Sequence, residues 1–371
     1  MKNQHYKAGK RPTGLLSVLL TLLTVATSLT SCEKEIDFNG EQSDPKLVIN
    51  SLIAPGQRVE ASISKSFFFL DNNGNTLAPD DLSASLYVNG AFLGLMTQTY
   101  DTLMSYEIWD PNNPSLTYVR KIYVSDYRPQ AGDIVKIVAS ANGFDEVDGT
   151  TSSLPKMVDF QYDTEIIDWY SEYYYPYFYD DVYEEDSLLQ IDGTLEVTIN
   201  ITDPNPGQMD YFRFHLIGDQ TVYDYEFVWD EFSMENIGGE NMRWVSVDYD
   251  DPVFGPIVAE NDFFDASDLD TRPEGVFTDA LFDGKTYPLK MKIYFQMHVD
   301  EEYDPAFFSV PFRLEHISRE YYNYLNTCNQ GDLALQIWSE PIQTYSNVNG
   351  GYGIVAGRTL DTLWVDLPLE E

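Results

Sequence analysis

Cys32 stands directly behind Leu29-Thr30-Ser31, at the end of an apolar run that starts near Leu15 and follows Lys2, Lys7, Lys10 and Arg11. A basic start, an apolar core and small residues before a cut describe a secretory leader, and a cysteine at the cut adds chemistry. Its thiol can form a thioether to a diacylglyceryl group, and the amine freed by cleavage can take a further acyl chain. Two or more chains anchor a protein stably where one does not. The run is too short to span a bilayer, which takes about 20 apolar residues. The expectation is a lipoprotein signal peptide over residues 1–31, with Cys32 the lipidated first residue of the mature chain.

Two further groups of residues carry chemistry. From Trp169 to Asp186 the chain reads WYSEYYYPYFYDDVYEED, so dense in aromatic and acidic residues that neither a helical nor a strand period is recoverable. Trp169, Tyr170, Tyr173, Tyr174, Tyr175, Tyr177, Tyr179 and Tyr183 offer large apolar faces, with hydroxyl tips on the tyrosines, which suit recognition of sugars, peptides or a protein partner. The stretch is either an inserted binding loop, or a disordered one, or a set of tyrosines packed over the neighbouring sheet. Downstream, Asp262, Asp265, Asp268 and Asp270 cluster beside Glu260, with Asp250 and Asp251 shortly before. Calcium takes six to eight oxygens, so the cluster is a candidate calcium site, although its spacing matches no EF-hand and a solvated acidic loop fits the same residues.

Other chemistries lack their residues. His215, His298 and His316 lie far apart, with no pair of His or Cys at zinc spacing. There is no Gly-x-Ser-x-Gly elbow and no His-Glu-x-x-His. Carboxylate pairs of glycosidase type carry no information in a chain with 61 acids. A non-catalytic protein is expected, with no organic cofactor and calcium as the one candidate ion.

Composition agrees with that expectation. The 61 Asp and Glu face 22 Lys and Arg, four of them in the leader, for a net charge of −39 at pH 7. Such a surface repels nucleic acid and anionic membrane faces. With Cys32 acylated, Cys328 is the one remaining cysteine, so no internal disulfide can form and stability must come from packing.

The elements that position these residues are strands. A polar tether over 32–45 gives way to alternation: Val59, Ala61 and Ile63, then Leu82, Ala84, Leu86 and Val88, each set marking a strand with one buried face. Asn89-Gly90 between apolar flanks predicts a tight hairpin. Alternation resumes at Leu195, Val197, Ile199 and Ile201, stops at the turn cluster Asp203-Pro204-Asn205-Pro206-Gly207, and is longest from Leu289 to Val299. Leu314, Ile317, Tyr321 and Leu325, with Glu315 and Arg319 on the outer face, predict one amphipathic helix. The three glycines of Asn349-Gly350-Gly351-Tyr352-Gly353 predict a tight turn returning the chain to a sheet. The fold expected is all-β, two tandem immunoglobulin-like β-sandwich domains over 46–156 and 157–371, with the aromatic-acidic loop at 169–186 and the helix in the second.

Four stretches together resemble a known family. They are the strand pair Leu47-Val48-Ile49 and Val59-Glu60-Ala61-Ser62-Ile63-Ser64-Lys65-Ser66, the segment Phe277-Thr278-Asp279-Ala280-Leu281-Phe282-Asp283-Gly284-Lys285-Thr286-Tyr287, and the helix with Tyr321-Tyr322-Asn323-Tyr324-Leu325. The fourth runs Glu340-Pro341-Ile342-Gln343-Thr344-Tyr345-Ser346-Asn347-Val348-Asn349-Gly350-Gly351-Tyr352-Gly353-Ile354-Val355. They are similar to an uncharacterised group of Bacteroidota outer-membrane lipoproteins that carry a domain of unknown function. The resemblance implies a lipid anchor in the outer membrane, exposure at the cell surface, for which Lys34-Glu35 behind Cys32 resembles the export signal, and a TonB-dependent receptor encoded nearby. It brings no catalytic or ligand-binding residues with it. The function expected is accessory binding for such a receptor, with a glycan or peptide ligand; a structural or adhesive lipoprotein and a glycan or peptide hydrolase are the alternatives.

Overall fold

Apolar side chains at every second position give each strand one face to bury; backbone hydrogen bonds join the strands into four sheets among the described residues, and the sheets pair to cover those faces. The computed structural model describes residues 44–66, 77–105, 116–174, 188–217, 221–224, 241–249, 251–254, 275–299, 308–328 and 344–369. The fold is all-β, two β-sandwiches with one α-helix among the described residues.

In the first sandwich, sheet I contains β1 (Leu47–Ile53), β2 (Val59–Lys65), β5 (Thr97–Ser105), β6 (Leu116–Ser125) and β18 (Tyr352–Gly357), in the order β18-β1-β2-β6-β5. Sheet II contains β3 (Ser83–Val88), β4 (Ala91–Leu95), β7 (Val135–Ser140), β8 (Val147–Thr150) and β17 (Val348–Asn349), in the order β17-β8-β7-β3-β4. Leu47, Ile49, Val59, Ala61 and Ile63 of sheet I meet Ala84, Leu86, Val135 and Ile137 of sheet II in one core. The predicted hairpin joins β3 to β4, with Asn89 at φ 51° and Gly90 at φ 81°.

The second sandwich is built the same way. Sheet III contains β9 (Phe160–Tyr174), β10 (Leu188–Thr202), β12 (Thr221–Asp224), β13 (Asn241–Asp248) and β15 (Thr286–Val299), in the order β12-β13-β15-β10-β9. Sheet IV contains β11 (Tyr211–Leu216), β14 (Val276–Thr278), β16 (Ser309–Ile317) and β19 (Asp361–Asp366), in the order β14-β11-β16-β19. On β15 the side chains of Leu289, Met291, Ile293, Phe295, Met297 and Val299 all enter the core. At about 1.5–3 kcal/mol for each large apolar side chain, that strand alone buries on the order of 10 kcal/mol of gross hydrophobic free energy.

The chain crosses the junction between the sandwiches three times. After β16 comes α1 (Arg319–Cys328), then β17 and β18 return to the first sandwich before β19 closes sheet IV. Residues Val348–Asn349 and Tyr352–Gly357, which the sequence reading groups with the second sandwich, therefore pair with β8 and β1 of the first. The β18–β1 ladder is parallel, whereas the other described ladders are antiparallel. Tyr321 and Leu325 of α1 pack on Ile354 and Ala356 of β18 and on Val276 and Ile317, a small third core at the junction. Ser318 N–H donates to the Gly357 carbonyl at 2.9 Å, and Gly357 N–H donates to Ser318 Oγ at 3.1 Å.

Two segments fold differently from the sequence expectation. Leu314 and Ile317 belong to β16, so the helix starts only at Arg319. Glu315 is not on an outer helical face. It is fully buried and accepts from Arg358 Nη1 at 3.0 Å. From Leu314 to Ile317 both faces of the strand are covered, one by the sandwich core and one by the junction, so alternation ends and a false helical spacing appears. Trp169–Tyr174 is likewise strand, the end of the 15-residue β9, rather than the start of a loop.

Candidate functional site

Every second side chain of sheet III points away from the core, and the register of four strands brings a polar and aromatic set of these together. Asp192 on β10 lies opposite Tyr170 on β9 and Gln296 on β15, Thr194 lies opposite Asp168 and Tyr294, and Trp244 on β13 lies opposite Gln296. With the backbone of Gly193 and Phe295, these residues line a groove of about 310 Å³. Tyr170, Trp244 and Tyr294 remain 55%, 39% and 38% exposed. Three aromatic faces turned to solvent on one sheet are costly to leave open and suit a flat, partly apolar ligand.

The polar members are held in place. Asp192 accepts from Gln296 Nε2 at 2.8 Å and from Gln190 Nε2 at 2.7 Å. The Tyr170 hydroxyl donates to Glu172 Oε2 at 2.7 Å; that hydrogen bond, with the charge behind it, pushes the hydroxyl up from its ordinary value, so it stays a neutral donor. His298, next along the same face of β15, is pushed down by burial, against a smaller opposing pull from Asp192, and presents a neutral imidazole at pH 7. Local sequence sets the groove floor. A Cβ at Gly193 would meet Phe295 Cζ at 2.4 Å and the Asp168 carbonyl at 2.9 Å, so glycine lets a core ring reach under the groove. Beside it the β9–β10 register shifts between Thr194 and Leu195.

Among the described residues, one of the sequence-predicted aromatic residues lines this groove. Tyr170 does. Trp169 lies opposite Gly193 and packs half-buried against the core, and Tyr173 is exposed near the end of β9, outside the groove. Tyr174 ends the strand, and Tyr175, Tyr177, Tyr179 and Tyr183 lie outside the described residues. So do Cys32 and the candidate calcium ligands Asp262, Asp265, Asp268 and Asp270. Asp251, upstream of them, is occupied: it accepts from the Tyr287 hydroxyl at 2.7 Å and from the backbone N–H of Lys290 and Val253, each at 3.0 Å. Burial, then this hydrogen bond, pushes Tyr287 up to about 12. An alkaline titration followed by tyrosinate absorbance is expected to show a phase near pH 12 that loses one tyrosine in Tyr287→Phe. Stability that depends on this hydroxyl holds up to the ordinary tyrosine value near 10 and is lost as pH rises through about 12.

The sequence alone does not point to Asp168, Asp192, Trp244, Tyr294 or Gln296. Their trace is the outward set of β15, where Tyr294, Gln296 and His298 alternate with the core residues, but only the register shows that they meet Trp244 and Tyr170.

Residues 33–362 match the model of a family described as a domain of unknown function, DUF4249. No curated protein matches the chain.

Proposed function

The chain belongs to the DUF4249 family, and from that premise we propose that it is a lipid-anchored binding protein of the bacterial outer membrane, displayed at the cell surface as the non-catalytic accessory of a TonB-dependent receptor. The groove on sheet III is the observation that carries the binding role. Tyr170, Trp244 and Tyr294 supply faces for stacking, while Asp168, Asp192 and Gln296 supply carboxylate and amide groups around them. That mixture fits a sugar, whose C–H face stacks on aromatic rings while its hydroxyls meet carboxylates, or an extended peptide. The acidic surface disfavours nucleic acid as ligand.

The anchor rests on the leader and Cys32. In Cys32→Ser the acyl chains have no attachment point, so the protein is expected to move from the membrane fraction to the soluble fraction, measured by labelled palmitate and fractionation. An unchanged membrane fraction would end the lipoprotein reading. For the receptor, purification of the lipidated protein in mild detergent is expected to bring a TonB-dependent receptor with it. Its absence, with cell adhesion retained, would return the structural or adhesive reading instead.

A further inference from the structure

We propose that Asp203, Asp279 and Asp283 form a divalent-cation site, of calcium chemistry, at one end of the second sandwich. Two turns meet there. The turn after β10 runs Asp203-Pro204-Asn205-Pro206-Gly207, and a single 3-10 turn, Asp279–Leu281, leads from β14 towards β15. Each turn is tied to the other by its carboxylates: Gly284 N–H donates to Asp203 Oδ2 at 2.5 Å, and Gly207 N–H donates to Asp283 Oδ1 at 2.7 Å. One carboxylate oxygen from each of the three aspartates lies within 4.8 Å of the others.

Acidic residues gathered in turns are common, and the deciding feature is Asp279. It is 1% exposed. Its Oδ1 accepts from Asp210 N–H at 3.0 Å, while Oδ2 is buried with no hydrogen-bond partner among the described residues. A buried carboxylate oxygen without a donor is unfavourable, and here two further carboxylates stand beside it. A cation among the three would give that oxygen a partner and offset the gathered negative charge. Asp203 also accepts from Asn205 N–H with Oδ1 at 2.8 Å, but each carboxylate oxygen has a second lone pair left for a cation. Asp210 lies outside the converging three: its oxygens accept from Asn205 Nδ2 at 2.9 and 3.1 Å, and Oδ1 faces His316 Nε2 at 3.2 Å.

The donor set selects the ion. Three carboxylates with no nitrogen or sulfur disfavour zinc. Carboxylate oxygens open to further water suit the six to eight flexibly placed oxygen ligands of calcium. Asp283 is exposed, so water can complete the shell.

The full mature protein, stripped with a chelator, is titrated with calcium, magnesium and zinc, with heat of binding and melting temperature recorded. Saturable calcium binding is expected, with a rise of about 4 °C at a hundredfold excess over Kd. Asp283→Asn is expected to abolish both. Asp279→Asn is expected to abolish both as well, and to melt no lower than the metal-free wild type, because it removes an unpaired buried charge. Asp262→Asn, Asp265→Asn, Asp268→Asn and Asp270→Asn combined are expected to leave this site intact. No saturable binding up to about 5 mM calcium, binding that survives in Asp283→Asn, or binding lost only in the combined variant would each overturn the proposal.

Discussion

Gly353→Val is expected to cost roughly 4 kcal/mol or more of stability, the range of the most damaging single substitutions, and to release β18 from β1. Gly353 sits at φ +108°, a conformation that side chains rarely adopt. A Cβ there would stand 2.1 Å from the Ile49 carbonyl oxygen and 2.8 Å from its carbon, both backbone atoms of the neighbouring strand. The parallel ladder from Val48–Tyr352 to Ile53–Gly357 therefore depends on the missing side chain. The same strand carries Ile354 and Ala356, against which α1 packs, so the junction between the sandwiches opens with it. Gly143→Ala is the control. It also has positive φ, +82°, but nothing lies within 4 Å of its Cβ, and it should lose only about 1 kcal/mol. Urea unfolding of both variants gives the comparison.

The second large effect is on binding. Removing Trp244 and Tyr294 together, Trp244→Ala with Tyr294→Ala, is expected to weaken the ligand of the groove by about a hundredfold or more, since each aromatic anchor at a binding site contributes on the order of 1–3 kcal/mol. Both rings stand on the solvent side of sheet III, so the melting temperature should change little. Neighbours in sequence separate the two roles. Tyr170→Ala should weaken binding and spare stability, whereas Trp169→Ala, on the opposite face and packed against the core, should cost about 2–3 kcal/mol of stability.

Strands with one wet face were readable because period two survives in them. Leu289 to Val299 is the clearest, and the turns at Asn89-Gly90 and Asp203 to Gly207 fall where their residue types require. Readability failed where a strand has aromatic or buried residues on both faces. In β9 Trp169 points inward and Tyr170 outward, so no alternation shows. In β16 the junction covers the second face, and Leu314 with Ile317 imitates a helical spacing. The return of β18 to β1 pairs residues from opposite ends of the chain, and local patterns hold no record of such a partner. The glycines of the 349–353 turn were its only trace: Gly351 would place a Cβ 2.3 Å from the Leu47 carbonyl oxygen, just as Gly353 does at Ile49. The groove was hidden for a related reason. Its residues come from four strands, each ordinary on its own, and become a site only through register.

Hydroxyl-radical footprinting of the intact lipidated protein, with and without the ligand that co-purifies with it, tests the binding surface most directly. Protection is predicted at Tyr170, Trp244 and Tyr294, with Tyr100 on β5 of the first sandwich, which is 60% exposed, unchanged. Protection elsewhere that leaves those three rings as reactive as before would contradict a binding role for the outer face of sheet III.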